Sequence, residues 1–205
     1  MAARSSMAGL ITRLRAMIGD PGGLTPVWSD DELQNALDAN RDDIRHMPLV
    51  ASETIASGGV VTWMDYYAPG PGEAGTTILQ SWTNIQGPRG RVDGRGDWET
   101  DVLLQDATFA TLTAATSDYI VGHWTFAAST APPVYLTGKC YDLAAAAADV
   151  CEQWASKVAL VQDYQNAGLS DTWMHKTKNM QDMAQRFRGR ARARTGTQVR
   201  GDVTP

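Results

Sequence analysis

Residue types that could perform catalysis or bind metal are scattered along this chain. His46, His123 and His175 fall in different predicted elements, and no two have the spacing of metal ligands. No serine follows a nucleophile-elbow pattern, and neither Cys140 nor Cys151 has an evident histidine partner. We therefore predict no catalytic residue, no metal site and no cofactor. Both cysteines are interpreted as buried thiols in a reducing compartment.

Three short motifs match binding sequences in letters but lack the context that binding needs. Residues 70–75 read Gly-Pro-Gly-Glu-Ala-Gly, without the preceding strand and following helix of a dinucleotide site. Residues 95–97 read Arg-Gly-Asp, a cell-adhesion tripeptide, in a chain that shows no signal-peptide pattern. Asp42 and Asp43 are expected on the wet face of a helix rather than at a metal. We interpret all three as ordinary surface segments.

The strongest chemical signal is a ladder of arginines at the end of the last predicted helix. Its members are Arg186, Arg188, Arg190, Arg192, Arg194 and Arg200. From Lys176 to Pro205, eight Lys or Arg against two Asp or Glu give +6. The preceding residues hold ten basic and twenty-one acidic groups, or −11, which completes the net charge of −5. An acidic body with a basic end predicts an anionic partner surface.

Three interpretations of this basic end stay open. It could dock into another protein, where Phe187 and the arginines would make the contact and the arginines would fork onto carboxylates. It could grip nucleic acid, because evenly spaced arginines neutralise phosphates without reading sequence. It could also be no more than a solubilising, disordered end of the chain.

Two helices are predicted before the arginine-rich end of the chain is reached. The first covers about 10–18 and stops at a Gly-Pro turn. The second begins at Ser29, because Ser29 can cap the helix and Glu32 can reach back to it. Its apolar face is predicted to extend through Ile44 and Met47, until Pro48.

Between about residues 58 and 138, glycine, proline and threonine rise and short β-prone runs appear. The predicted strands cover 60–64, 76–82, 99–105, 108–113, 119–126 and 134–137. About six strands at short spacing predict a small antiparallel sandwich or barrel. The polar loop 87–97 is expected to be exposed. Trp98, Arg89, Arg91 and Arg95 are weaker candidates for a contact with a neighbouring subunit or the tail.

Helical spacing returns after residue 142, with a turn at Gly168 and a new helix start at Ser170. The predicted fold is α+β: a small antiparallel bundle of about four helices, with an inserted antiparallel β module and an extended basic tail. The boundaries are 1–57 for the first helical part, 58–138 for the β module, 139–189 for the second helical part and 190–205 for the tail.

Both helical ends resemble phage head-to-tail connector (adaptor) proteins. At the start, the pattern is a short helix, a glycine-proline turn and then Trp-Ser-Asp-Asp-Glu-Leu opening a second helix (28–33). Near the end, an alanine-rich helix leads through Asp-Tyr and a Gly-Leu-Ser turn to a final helix with basic residues. The resemblance covers roughly half the chain, and the β region departs from the smallest members of that family.

The resemblance implies a non-enzymatic virion protein, made in the host cytoplasm and located in the neck. Copies would form a ring under the portal protein, extend the DNA channel and meet a neck or tail completion protein. Packaged DNA would pass without sequence-specific binding, and no membrane is involved. The portal-facing element would be 186–200. The chief alternative is a DNA-binding module, and a third class is an enzyme or glycan-binding protein with a pocket lined by Trp63, Trp82 or Trp124.

Overall fold

The computed structural model describes residues 3–20, 22, 26–55, 59–69, 96–164 and 170–192. These residues form an α+β fold with four α-helices and two antiparallel sheets, which confirms the predicted class. The chain divides into two compact units, Met1–Leu143 and Ala144–Pro205. The four helices are α1 (Ala8–Ile18), α2 (Asp30–Ala39), α3 (Leu143–Tyr164) and α4 (Ser170–Arg188).

The two N-terminal helices form where the sequence predicts them. Helix α1 ends at Gly19, whose φ of 72° closes the helix in a left-handed conformation that glycine adopts without strain. Helix α2 begins with a complete capping box: the Ser29 side chain accepts from the Glu32 amide, and the Glu32 carboxylate accepts from the Ser29 amide. Trp28, immediately before this start, is buried at the position of a hydrophobic staple.

The predicted extension of the second helix to Pro48 is wrong. Helix α2 ends at Ala39, and Arg41–Pro48 forms strand β1. The register of β1 against its partner strand shifts between Ile44 and Met47, so one extra residue is inserted there. Because of this bulge, Ile44 and Met47 both pack against the β core although they are three residues apart. A spacing of three imitates a helical pattern, which explains the error. Asp42 and Asp43 consequently lie exposed on a strand.

The remaining strands follow β1, and the first of them also lies before the predicted start of the β module at residue 58. They are β2 (Val50–Ile55), β3 (Val61–Tyr67), β4 (Leu103–Gln105), β5 (Thr111–Leu112), β6 (Thr116–Asp118), β7 (His123–Thr125) and β8 (Tyr135–Tyr141). One sheet has the order β1-β8-β4-β5 and the other β2-β3-β7-β6, with antiparallel neighbours throughout. Five of the six predicted runs overlap a strand: β4, β5 and β7 are shorter than predicted, whereas β3 and β8 extend beyond the predicted run. The sixth run, 76–82, lies outside the described residues.

One hydrophobic cluster contains residues of both sheets. Its most deeply buried members include Tyr66, Trp98, Trp124 and Leu136, none more than 1% exposed. The rings of Trp98 and Trp124 meet edge to face with centroids 6.0 Å apart. Burial raises the pKa of Tyr66 to about 12, and its hydroxyl donates to the Thr130 carbonyl. The β core therefore buries Trp98 and Trp124 almost completely.

The C-terminal unit contains most of α3 and all of α4. In α3, Val150, Cys151 and Ala155 are buried at the spacing of one helical face. In α4, Ala184 and Phe187 are buried and Met180 is half-buried, at the three- and four-residue spacing of one helical face. The end of α4 contacts the early turns of α3, as expected for an antiparallel pair. A bundle that joins all four helices stays a prediction.

Candidate functional site

The end of α4 carries the described part of the predicted docking segment. Arg186 and Arg190 are exposed, whereas Phe187 is 9% exposed and belongs to the buried face of the helix. The burial of Phe187 means that it fixes the helix in its own unit. Arg194 and Arg200 lie outside the described residues.

Arg188 anchors this basic end to α3. Its Nη2 lies 2.6 Å from Asp149 Oδ1 and 3.1 Å from Glu152 Oε2, and its Nε donates to Glu152 Oε1 at 3.2 Å. The hydrogen bonds to Glu152, with the nearby Asp149 charge, raise the Arg188 pKa above its ordinary value. A forked guanidinium contact of this kind fixes direction as well as distance. Arg188 therefore positions the helix end, and its charge is already matched within the chain.

The backbone leaves the helix just beyond this anchor. The Gly189 amide still donates to Gln185, but the Arg190 amide donates to the Phe187 carbonyl, three residues back, at 2.9 Å. This tighter turn ends the helix at a fixed point. Arg192 is half-buried there and has an interaction partner of its own. Arg186 and Arg190 are exposed, as is Arg188, whose guanidinium is paired with Asp149 and Glu152.

Trp98 is buried, whereas the sequence predicts that it is available for contact with a neighbouring subunit or the tail. The predicted polar loop 87–97 ends in an ordered segment in which the Trp98 amide donates to the Tyr119 carbonyl at 2.8 Å. Trp98 also bridges to Cys140 and is 1% exposed. This burial corrects the prediction of a Trp98 contact with a neighbouring subunit, since the side chain has almost no surface to offer. Arg89, Arg91 and Arg95 lie outside the described residues, as do the glycine motif 70–75 and Trp82.

A buried carboxylate that the sequence did not reveal organises the N-terminal unit. Glu99 is fully buried and accepts hydrogen bonds from Ser6 Oγ at 2.6 Å, Tyr141 Oη at 2.7 Å and Arg4 Nε at 3.0 Å. Burial opposes its ionisation, but these three donors outweigh burial and lower its pKa to about 2. Arg4 also forks onto Asp38 of α2 at 2.7 and 3.0 Å. The cluster ties the start of the chain to α2 and β8.

The histidines stay apart in the structure. His123 Nε2 lies 3.0 Å from Asp65 Oδ1, and the His123 ring stacks on Tyr67 with centroids 4.4 Å apart. Thr125 donates to the same Asp65 oxygen at 2.8 Å, so this is a cross-strand polar contact on the second sheet. Within the described residues, no three His, Cys, Asp or Glu side chains form a group that could hold a metal ion. Trp124 is fully buried and Trp63 packs against the core.

Comparison with family models, curated proteins and solved structures found no match for this chain. In the described parts of the chain, no helix combines the length and apolar character needed to cross a membrane.

Proposed function

We propose that this chain is the structural head-to-tail adaptor of a tailed bacteriophage. Copies form a ring under the portal, extend the DNA channel and link the head to a neck or tail completion protein. The observation that carries the proposal is the basic helix end, held in place by Arg188 and Phe187 and followed by further arginines. The resemblance of both helical ends to connector proteins supports it.

In this proposal, the contact with the portal gains specificity because the helix end before it is held in place. A helix fixed by buried Phe187 and anchored Arg188 delivers the following segment to one place on the partner. The exposed arginines then bind carboxylates on the portal, and the guanidinium fork makes these contacts directional. The predicted helix bundle is the rigid body that carries this arm, and the protein resides in the virion neck after synthesis in the host cytoplasm.

The acidic remainder of the chain suits a DNA channel. Outside 176–205 the net charge is −11, and negative walls repel the DNA backbone, so that the packaged DNA slides instead of sticking.

Truncation after Gly189 tests the docking role. We expect the truncated chain to unfold at the same temperature as the full chain and to be lost from portal-bearing capsids in a pull-down. A double substitution, Arg186→Glu with Arg190→Glu, should have the same effect because it reverses the exposed charge. Lys178→Glu is the matched control, being an exposed charge reversal earlier on α4, and should leave attachment intact. Normal attachment of the truncated chain would refute the docking role.

The alternative, a DNA-binding module, is favoured by the +6 charge of 176–205. Titration of naked DNA at several salt concentrations separates the two functions. Micromolar binding that falls steeply with salt supports the DNA-binding module, because phosphate contacts release counterions. Portal attachment without such binding supports the adaptor.

A further inference from the structure

The exposed side of helix α4 carries a carboxylate beside its basic end. Asp182 and Arg186 are both exposed and lie four residues apart, so they are neighbours along one side of the helix, separated by about 6 Å along its axis. Arg190, also exposed, continues the row in the turn that closes the helix, where its amide donates to the Phe187 carbonyl at 2.9 Å. We call Asp182, Arg186 and Arg190 the docking face. Its charges run negative, positive, positive.

Uncharged side chains flank the docking face on α4. Asn179, Gln181 and Gln185 are exposed amides, and Gly189 adds no side chain. The nearest charge along the row is Lys178, one helical turn before the docking face begins. The positions of the three charges therefore distinguish this surface more than its overall polarity does.

The charges of the docking face are available to a partner. Among the residues that the structure describes, none of the three forms an ion pair, whereas Arg188 is held by Asp149 and Glu152. Asp182 lies one turn from Arg186, but exposed pairs at this spacing are weak in water. Its negative charge therefore acts on whatever binds the neighbouring arginines.

Asp182 makes this face a poor site for nucleic acid. An anion bound to Arg186 lies within the ~8 Å Debye length of Asp182, so salt does not screen the repulsion between them. Duplex DNA carries about one negative charge per 1.7 Å of its axis. A phosphate therefore lies close to Asp182 wherever the DNA backbone follows α4.

A second copy of the same face is disfavoured as well. When two α4 helices meet antiparallel, Asp182 of each copy can stand opposite Arg186 of the other. The same register places Lys178 of each copy opposite Arg190 of the other. Two repulsions then offset two attractions, so the face fits a different protein better than it fits itself.

We propose that Asp182 sets the specificity of docking by pairing with a Lys or Arg of the partner. That cation stands about one helical turn from the carboxylates that Arg186 and Arg190 bind. The partner is thus a protein surface on which acidic groups adjoin a cation. Asp182 rejects DNA and uniformly acidic surfaces, because like charges set opposite each other oppose binding. This specificity rests on the proposed function in taking that surface to belong to the portal.

Substitution of Asp182 tests this specificity with the full-length chain, portal-bearing capsids and naked duplex DNA. Asp182→Lys should weaken capsid attachment at least about fivefold, because it sets two cations opposite each other. The same variant should bind DNA more tightly at low salt, with a salt slope steeper by about one, because it adds a phosphate contact. Asp182→Gln should weaken attachment less. Since Asp182 is exposed, both variants should keep the unfolding temperature of the wild type.

Two controls separate the position of the carboxylate from the net charge. Gln181→Asp combined with Asp182→Gln keeps the composition but turns the carboxylate by about 100° round the helix axis. This chain should lose as much attachment as Asp182→Gln alone. Asp101→Lys is a charge reversal at an exposed site in the N-terminal unit and should leave attachment unchanged.

Each outcome decides the proposal. Asp182→Lys that attaches as well as the wild type overturns it, as does a loss no greater than that of Asp101→Lys. Normal attachment of the Gln181→Asp, Asp182→Gln chain also overturns it, since net charge then explains binding. Self-association that Asp182→Lys abolishes in sedimentation overturns it in favour of a second copy. If Arg186→Glu with Arg190→Glu attaches normally, the proposed function fails; if that variant is lost while Asp182→Lys attaches, only the specificity assigned to Asp182 fails.

Discussion

Replacing Glu99 with glutamine removes the buried charge on which Arg4, Ser6 and Tyr141 converge, while keeping the size of the side chain. The pKa of Glu99 is about 2 against an ordinary value of 4.5, so the fold favours its ionised form by roughly 3 kcal/mol. Arg4 keeps 34% of its side chain exposed, so water compensates part of that loss. We expect Glu99→Gln to lower the free energy of unfolding by about 2–3 kcal/mol near neutral pH.

The stabilisation contributed by ionised Glu99 should depend on pH. Because the folded pKa of Glu99 is depressed, its stabilisation is present above about pH 4.5 and is lost as the pH falls toward 2. Urea unfolding monitored by tryptophan fluorescence at several pH values should show the wild-type and Glu99→Gln curves converging in acid.

Asp101→Asn is the matched control for Glu99→Gln. Asp101 lies 3.8 Å from Lys139, which also contacts Glu99, but its side chain is 51% exposed. Its loss should cost less than about 1 kcal/mol, as for other surface ion pairs. Equal losses in the two variants, or unfolding curves that stay parallel down to pH 2, would refute the role given to the buried carboxylate.

Two further predictions concern local structure. Ser29→Ala removes the α2 cap and should lower the free energy of unfolding, measured with urea, by about 1 kcal/mol. Glu32→Gln keeps the capping box and should lower it much less. Equal losses in the two variants would contradict the role given to the cap. Gly96→Ala should destabilise the fold by at least about 2 kcal/mol, because the added methyl group would collide with the Ile120 carbonyl. Gly9→Ala, where the added methyl group meets nothing within 4 Å, should stabilise helix α1 by about 0.5–1 kcal/mol. Shifts of the same sign in the unfolding temperatures of the two variants would contradict this.

Capping chemistry made the helix starts predictable from sequence. The Ser29–Glu32 capping box spans four consecutive residues, so the local sequence is sufficient to predict it. The spacing of Met180, Ala184 and Phe187 is likewise that of one helical face, and this face is the more buried one in α4. At β1 the same kind of periodicity misled, because a bulge places Ile44 and Met47 on one sheet face at a helical spacing.

The remaining features depend on residues far apart in the chain. Glu99 meets Arg4 across 95 positions and Tyr141 across 42, and no local pattern announces such contacts. The sequence predicted an exposed Trp98 because the residues before it are polar. In the structure its backbone pairs with Cys140 and its side chain is buried. The arginines of the docking segment are recognisable in the sequence, but the hydrogen bond between Arg188 and Asp149 is visible only in the structure.

Cryo-electron microscopy of an assembled neck would test the central claim most directly. We expect density for the segment after Gly189 to lie against the portal, with its arginines facing acidic groups of that protein. Density that shows the segment in solvent, or folded back over the helices of its own chain, would contradict the adaptor role assigned to this basic end.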